Sequence, residues 1–104
     1  MARTPSAGQG TTTTVTVNLM GHIFDIVQEK TITIALETPT VRGLIEKITD
    51  TYGPDLRKAI LKEGTEELYV LVLVNSKDID FLQKLDTPLT DGDRVDVIPL
   101  VAGG

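Results

Sequence analysis

Apolar residues occupy every second position in two early stretches of the chain, residues 14–19 and 31–36. Alternation with a period of two, carried largely by β-branched side chains, is typical of a half-buried β-strand. The apolar members are Val15, Val17, Leu19, Ile32, Ile34 and Leu36. The two predicted strands are close enough in sequence to form an antiparallel pair. Residues 23–30 between them fit either a helical turn or the start of the second strand.

The period of the pattern changes after residue 40. Apolar residues then recur at the three- and four-residue spacing of one helix face, at Val41, Leu44, Ile45, Ile48 and Tyr52. Thr40 suits the N-cap of this helix, and Gly43 in its first turn lowers helix propensity by about 1 kcal/mol. Gly53 and Pro54 end the helix and favour a second, short helix beginning at Pro54.

The second half of the chain predicts further strands and an α+β fold. Residues 68–74 are apolar at odd and even positions, which favours a central strand covered on both faces. A short edge strand over 77–80, a tight turn over 90–93 and a last strand over 94–98 follow. Phe81, Leu82 and Leu85 are expected in the core. The other predicted core residues are Val15, Val17, Ile32, Ile34, Leu44, Ile48, Leu71, Leu73 and Val97.

Composition excludes several classes of protein. The 104 residues contain 40% apolar and 24% charged residues, which suits one globular domain. The absence of cysteine rules out disulfides, thiolate metal sites and a cysteine nucleophile, and one histidine makes a catalytic triad improbable. A net charge of −5 and 4% aromatic residues argue against nucleic-acid binding. No apolar run is long enough to cross a membrane, so we expect no membrane partner and a cytoplasmic protein.

Several polar and aromatic residues invite a functional interpretation that the sequence does not favour. His22 has no companion ligands, and the Asp residues of the second half lack the spacing of a calcium loop, so no metal site is predicted. Asp91 and Asp93 are expected to shape their turn. Phe24 and Ile26 are expected in the core, with a partner-docking patch as the alternative.

The carboxyl end has the pattern with the clearest chemical consequence. Pro99 ends the last predicted strand, and the apolar residues Leu100 and Val101 after it have no evident packing partner. Gly103 and Gly104 follow. Without a Cβ, a Gly-Gly end can enter a narrow channel and present an unhindered carboxylate. Such a carboxylate suits adenylation, and Gly104 is the obvious place on this thiol-free chain to hold a sulfur atom.

The segment TPLTDGDRVDVIPLVAGG, residues 87–104, resembles the ending of the small β-grasp sulfur-carrier proteins of the ThiS/MoaD type. This family includes the molybdopterin synthase small subunit, the thiamine-pathway carrier and ubiquitin-related modifiers. The resemblance implies a ubiquitin-like β-grasp with a mixed four- to five-stranded sheet packed on one main helix. We expect a flexible N-terminal arm over residues 1–11, the domain over 12–99 and a flexible tail over 100–104.

The resemblance further implies a carrier, or a small non-catalytic subunit of a sulfur-transfer enzyme such as molybdopterin synthase, with no catalytic residue and no cofactor of its own. An adenylating enzyme of the ubiquitin-activating type would activate Gly104, and Leu100, Val101, Ala102 and Gly103 would thread into that partner. A cysteine desulfurase or rhodanese would supply sulfur for a Gly104 thiocarboxylate, and a synthase subunit would accept it. The acceptor pathway stays open among molybdopterin, thiamine, cysteine and tRNA thiolation. The alternatives are a modifier conjugated through Gly104 to lysines and an interaction domain that is never activated.

Overall fold

A computed structural model describes residues 12–100, in which strands and helices are interspersed along the chain. Within these residues there are five strands and three α-helices, together with 3₁₀ turns at Ile79–Phe81 and Lys84–Asp86. The strands are β1 Thr13–Leu19, β2 Thr31–Leu36, β3 Val70–Val74, β4 Lys77–Asp78 and β5 Arg94–Pro99. The helices are α1 Gly21–Val27, α2 Val41–Tyr52 and α3 Pro54–Ile60. None of these helices is long and apolar enough to cross a membrane.

The five described strands form one mixed sheet in the order β2-β1-β5-β3-β4. Strand β1 pairs antiparallel with β2, with Val15 opposite Ile34, and parallel with β5, with Val17 opposite Val95. Strand β3 pairs antiparallel with both β5 and β4. The expected α+β architecture with a small mixed sheet is therefore confirmed, and the last strand lies in the centre of that sheet.

The core lies between one face of the sheet and the helices. Ile48, at the middle of α2, is completely buried, as are Leu56 and Ile60 of α3. Val15, Val17, Ile32, Ile34, Leu44, Ile48 and Val97 are buried as the periodicity predicts. The helical spacing of α2 thus identified the face that packs on the sheet.

The prediction that β3 is covered on both faces is wrong. Val70, Val72 and Val74 point into the core and are buried, whereas the expected core residues Leu71 and Leu73 are half-exposed. The reason lies in the pairing with β5, because Val72 and Val74 lie opposite the buried Val97 and Val95, which leaves Leu71 and Leu73 on the other face of the sheet. Strand β3 is therefore buried on one face only.

The placement of Phe81 and Leu82 in the core is also wrong. Phe81 is 86% exposed and Leu82 is 41% exposed, while Leu85 and Ile79 are buried. A single 3₁₀ turn presents few side chains to the same side, and here Ile79 occupies the inward position. The undecided segment after β1 is resolved as a helix, since residues 21–27 form α1.

Helix α2 begins as the sequence predicts, but its glycine has an unexpected reason. The Thr40 hydroxyl accepts a hydrogen bond from the Gly43 amide at 3.1 Å, which confirms the N-cap. A Cβ at Gly43 would overlap the carbonyl oxygen of Thr38. The segment before α2 therefore leaves no room for a side chain at residue 43, which explains a glycine there in spite of its lower helix propensity.

Candidate functional site

The candidate site begins where β5 ends and the predicted tail leaves the sheet. Of the five residues predicted to enter a partner, the structure describes Leu100. Val101, Ala102, Gly103 and Gly104 lie outside the described residues. The described geometry is therefore that of the point where the chain leaves the sheet.

Leu100 is exposed but tied to the sheet by its backbone. Its amide donates a hydrogen bond to the Tyr69 carbonyl at 3.1 Å, which extends the pairing of β5 with β3 one residue beyond Pro99. The Tyr69 amide in turn donates to the Ile60 carbonyl at the end of α3 at 2.7 Å. The side chains of Leu100 and Tyr69 remain 55% and 48% exposed. The sequence offered no partner for Leu100, and the structure supplies one through the backbone of Tyr69.

A groove of about 320 Å³ lies beside Leu100, along the part of β3 that the short strand β4 leaves unpaired. Leu68, Leu71 and Leu85 contribute apolar surface to it. Exposed Leu100 therefore continues an apolar strip along the edge of β3, a surface of the type that partner proteins bury.

Carboxylates surround this groove on several sides. Glu66, Glu67, Asp78 and Asp80 line it, against one lysine, Lys84. Glu67 lies 3.7 Å from Lys62, in an exposed ion pair. The groove beside the tail therefore has an apolar floor and an acidic rim.

Arg42 of α2 joins the acidic rim to the body of the domain. Its guanidinium forms ion pairs with Glu66 and, at 3.2 Å, with Asp86. The hydrogen bonds with Glu66 and then Asp86 raise the pKa of Arg42 above its usual value. Because the pKa of Arg42 is raised in the folded state, its protonated form stabilises the fold at every pH below the pKa of the free side chain. Since arginine is always protonated near neutrality, this contribution is constant over the working pH range.

The other side of the tail's departure point is formed by the start of α1. Gly21 has a φ of +60° and faces the ring of Pro99, so that a Cβ there would lie 2.6 Å from Pro99 Cγ. Met20 is 42% exposed beside it and lines, together with half-buried Phe24, an open groove of about 400 Å³. Ile26 packs against the core as expected, whereas Phe24 lies at this surface.

Asp91 and Asp93 shape the turn before β5, as predicted. Asp93 accepts hydrogen bonds from the Thr90 amide at 2.8 Å and from the Asn75 side chain at 2.9 Å. Asp91 accepts one from the Thr14 amide at 2.8 Å. These carboxylates fasten the start of β5 to β1 and to the β3–β4 turn, so their role is structural.

The described residues bring no metal-ligating groups together. His22 is exposed, and within residues 12–100 no three His, Asp or Glu side chains are grouped closely enough to hold a metal ion. Asp96 differs from the other aspartates because it is 9% exposed and accepts a hydrogen bond from the Asn18 amide group at 2.7 Å. The carboxylate of Asp96 therefore belongs to the hydrogen bonding of the sheet and not to its solvated surface.

Comparison with known proteins decides the family. The model of the ThiS family matches residues 17–104. The chain belongs to the ThiS family. The match includes both the β-grasp domain from within β1 onward and the Gly-Gly ending, so the resemblance drawn from residues 87–104 is confirmed.

Similar proteins outside the family model agree with this assignment. A protein of Archaeoglobus fulgidus named "Putative sulfur carrier protein" is 32% identical over 71 residues, which cover 68% of this chain and 81% of that protein. The solution structure of small archaeal modifier protein 1 from Methanosarcina acetivorans has a TM-score of 0.77 at 27% identity, covering 91% of this chain and 100% of that one. The Amycolatopsis orientalis BexX/CysO complex gives a TM-score of 0.69 at 26% identity, covering 86% and 99%.

These relatives support the interpretation of the ThiS-family chain as a sulfur carrier with a ubiquitin-like β-grasp. One is named as a sulfur carrier, one as a modifier, and one was solved in complex with another protein. The roles of Gly104 and of the four residues before it stay predictions, because these comparisons identify no site residue.

Proposed function

We propose that this protein carries sulfur on the carboxyl group of Gly104, after a partner enzyme has adenylated that group. The observation that supports the proposal most is the ThiS-family match, which continues through residue 104 and so includes Gly103 and Gly104. The described structure adds that β5 takes the chain to the end of the sheet at Pro99, with exposed Leu100 beyond it.

The chemistry requires nothing from this chain but an accessible carboxylate. A carboxylate oxygen of Gly104 attacks the α-phosphorus of ATP, and the bond to the departing pyrophosphate breaks. The persulfide of a sulfur donor such as a cysteine desulfurase or a rhodanese then attacks the acyl carbon and displaces AMP, which leaves an acyl disulfide between Gly104 and the donor. A thiol reductant attacks the donor's sulfur, forms a disulfide with it and releases the terminal sulfur on Gly104. The product is a thiocarboxylate whose sulfur is the nucleophile for an accepting synthase subunit. The protein is thus the substrate of its partner enzymes and the carrier of the sulfur atom, and it supplies no catalytic residue.

The distance from the sheet to Gly104 suits delivery into a partner's cleft. Five residues follow Pro99, and an extended chain of that length spans at most roughly 17 Å. The partner would be an adenylating enzyme of the ubiquitin-activating type. We propose that it also contacts Leu100 and the apolar groove along β3, whose acidic rim favours basic residues on the partner. The need for ATP places this chemistry in the cytoplasm.

A second candidate function shares the first step. The same acyl adenylate can be attacked by a lysine amine of another protein, which displaces AMP and forms an isopeptide bond. The similarity to small archaeal modifier protein 1 favours this alternative. The two functions differ only in the nucleophile that follows activation, and one chain can perform both.

The test of activation is a substitution at the proposed reacting residue. Gly104→Phe would force a Cβ and a ring into a channel shaped for glycine, so we expect adenylation by the partner enzyme, measured as ATP–pyrophosphate exchange, to be lost. Glu63→Phe is the matched control, because it adds the same ring at an exposed turn position outside the groove beside Leu100. It should exchange pyrophosphate as the wild type does.

Both variants should also melt near the wild-type temperature. If Gly104→Phe is adenylated as fast as Glu63→Phe, glycine at residue 104 is not needed for activation, and the proposed entry of the chain's end into a glycine-shaped channel is wrong. The same conclusion follows if Gly104→Phe restores growth to a strain that lacks the protein.

A further inference from the structure

Gly21 and Pro99 meet at the end of the sheet, although they lie far apart in sequence. Gly21 follows β1 and opens α1, and Pro99 is the last residue of β5. A Cβ at Gly21 would lie 2.6 Å from Pro99 Cγ, 3.5 Å from its Cδ and 3.9 Å from its Cβ. Carbon atoms in ordinary contact are about 3.5–4 Å apart. Any side chain at residue 21 would therefore displace the proline ring.

The proline ring cannot give way without moving the backbone. Its Cγ belongs to a ring closed on the main-chain nitrogen, which also fixes φ. On its other side Pro99 pairs with Val70 of β3, and the next residue, Leu100, donates its amide to the Tyr69 carbonyl at 3.1 Å. The end of β5 is thus held between α1 and β3, and the five residues that end in Gly104 depart from it.

We propose that Gly21 is a positioning residue for the activation of Gly104. Its missing side chain lets Pro99 lie against the start of α1, and we expect this contact to set the direction in which the chain leaves the sheet at Leu100. The inference rests on the proposed function. A carboxylate must meet the α-phosphorus of ATP in line, and a misplacement of about 1 Å can cost roughly a hundredfold in rate.

Three variants separate the Gly21–Pro99 contact from general damage. Gly21→Ala introduces the clash, and Gly21→Ala/Pro99→Ala removes it, because the new Cβ would then face a Cβ at 3.9 Å, an ordinary contact. Gly64→Ala is the matched control: Gly64 also has a positive φ, +78°, but no atom lies within 4 Å of a Cβ placed there. It imposes similar backbone strain without a clash.

The first readout is the kinetics of adenylation by the partner enzyme, with kcat and KM measured separately on folded protein. We expect Gly21→Ala to lower kcat by about tenfold to a hundredfold with a smaller change in KM. The double variant should recover most of this loss, and Gly64→Ala should react as the wild type does. Loss of stability alone would not lower kcat in protein that is folded.

The second readout needs no partner. Hydrogen exchange of the Leu100 amide, which donates to Tyr69, should be faster in Gly21→Ala and return towards the wild-type rate in the double variant. If Gly21→Ala does not fold, Pro99→Ala alone empties the contact. It should also speed exchange at Leu100 and lower kcat.

Unchanged kcat and unchanged Leu100 exchange in Gly21→Ala, or in Pro99→Ala where the former does not fold, would overturn the inference. A loss that the double variant fails to recover, or that Gly64→Ala shows equally, would also overturn it. Failure of the wild type to be adenylated would instead count against the proposed function, and the exchange measurement would then decide the inference alone.

Discussion

At the scale of single residues, glycines in this chain are explained by their neighbours more than by local propensity. Gly43 lies in the first turn of α2, where helix propensity alone favours alanine. The structure places the Thr38 carbonyl against the position that a Cβ would occupy. That carbonyl also accepts the Thr40 amide at 2.9 Å, so it is not free to move aside. Helix propensity predicts that alanine at residue 43 stabilises the protein, whereas the close Thr38 carbonyl predicts that it destabilises the protein.

Gly43→Ala should therefore destabilise the protein. Helix propensity would give a gain of about 1 kcal/mol, whereas overlap with a fixed carbonyl costs about 1–3 kcal/mol, so the expected net loss is up to about 2 kcal/mol. Urea unfolding measures the difference. Asp50→Ala, at an exposed position of the same helix, is the control and should be neutral or slightly stabilising. A Gly43→Ala variant as stable as Asp50→Ala would contradict the close approach of Thr38.

At the scale of elements, the sequence predicted those segments whose hydrophobic period is unambiguous. Strands β1 and β2 and helix α2 each have one apolar face, and that face is buried in the structure. Strand β3 is apolar at its odd- and even-numbered positions alike, so its sequence does not indicate which face meets the helices. The pairing with β5 decides this, because Val72 lies opposite the buried Val97, and that pairing joins segments that are distant along the chain.

The orientation of β3 is tested by two neighbouring truncations. Val72 is 2% exposed in the core, whereas Leu73 is half-exposed on the other face. Val72→Ala should cost about 2 kcal/mol of unfolding free energy, and Leu73→Ala less than about 1 kcal/mol, although leucine is the larger side chain. Chemical denaturation of both variants checks this order. A larger loss for Leu73→Ala would mean that β3 faces the other way.

At the scale of the whole molecule, we expect the domain and its predicted reactive end to be separable. The pairing of β5 with β3 covers Pro99, and its last described hydrogen bond comes from Leu100. Leu100 and the Gly-Gly ending could be proposed as site residues from the sequence, because they are neighbours in one short pattern. The contact of Pro99 with Gly21 and the bond from Leu100 to Tyr69 could not, since each joins segments that only folding brings together.

Deletion of Gly103 and Gly104 should accordingly leave the fold intact. We expect the melting temperature to change by less than about 2 °C, because the described sheet and core lie within residues 12–100 and stay intact. Adenylation should be abolished in the same preparation. Calorimetry and ATP–pyrophosphate exchange give the two values, and a much lower melting temperature would show that the end of the chain is structural.

Formation of a thiocarboxylate on Gly104 is tested most directly by the mass of the chain's last peptide after activation. The protein is incubated with ATP, sulfide and the adenylating enzyme of its own organism, with the Gly103–Gly104 deletion as control. We expect one terminal oxygen of Gly104 to be exchanged for sulfur, no other residue to change, and the control to stay unmodified. Adenylation of Gly104 that yields Gly-Gly remnants on lysines of other proteins, and no thiocarboxylate, would contradict the carrier and favour the modifier.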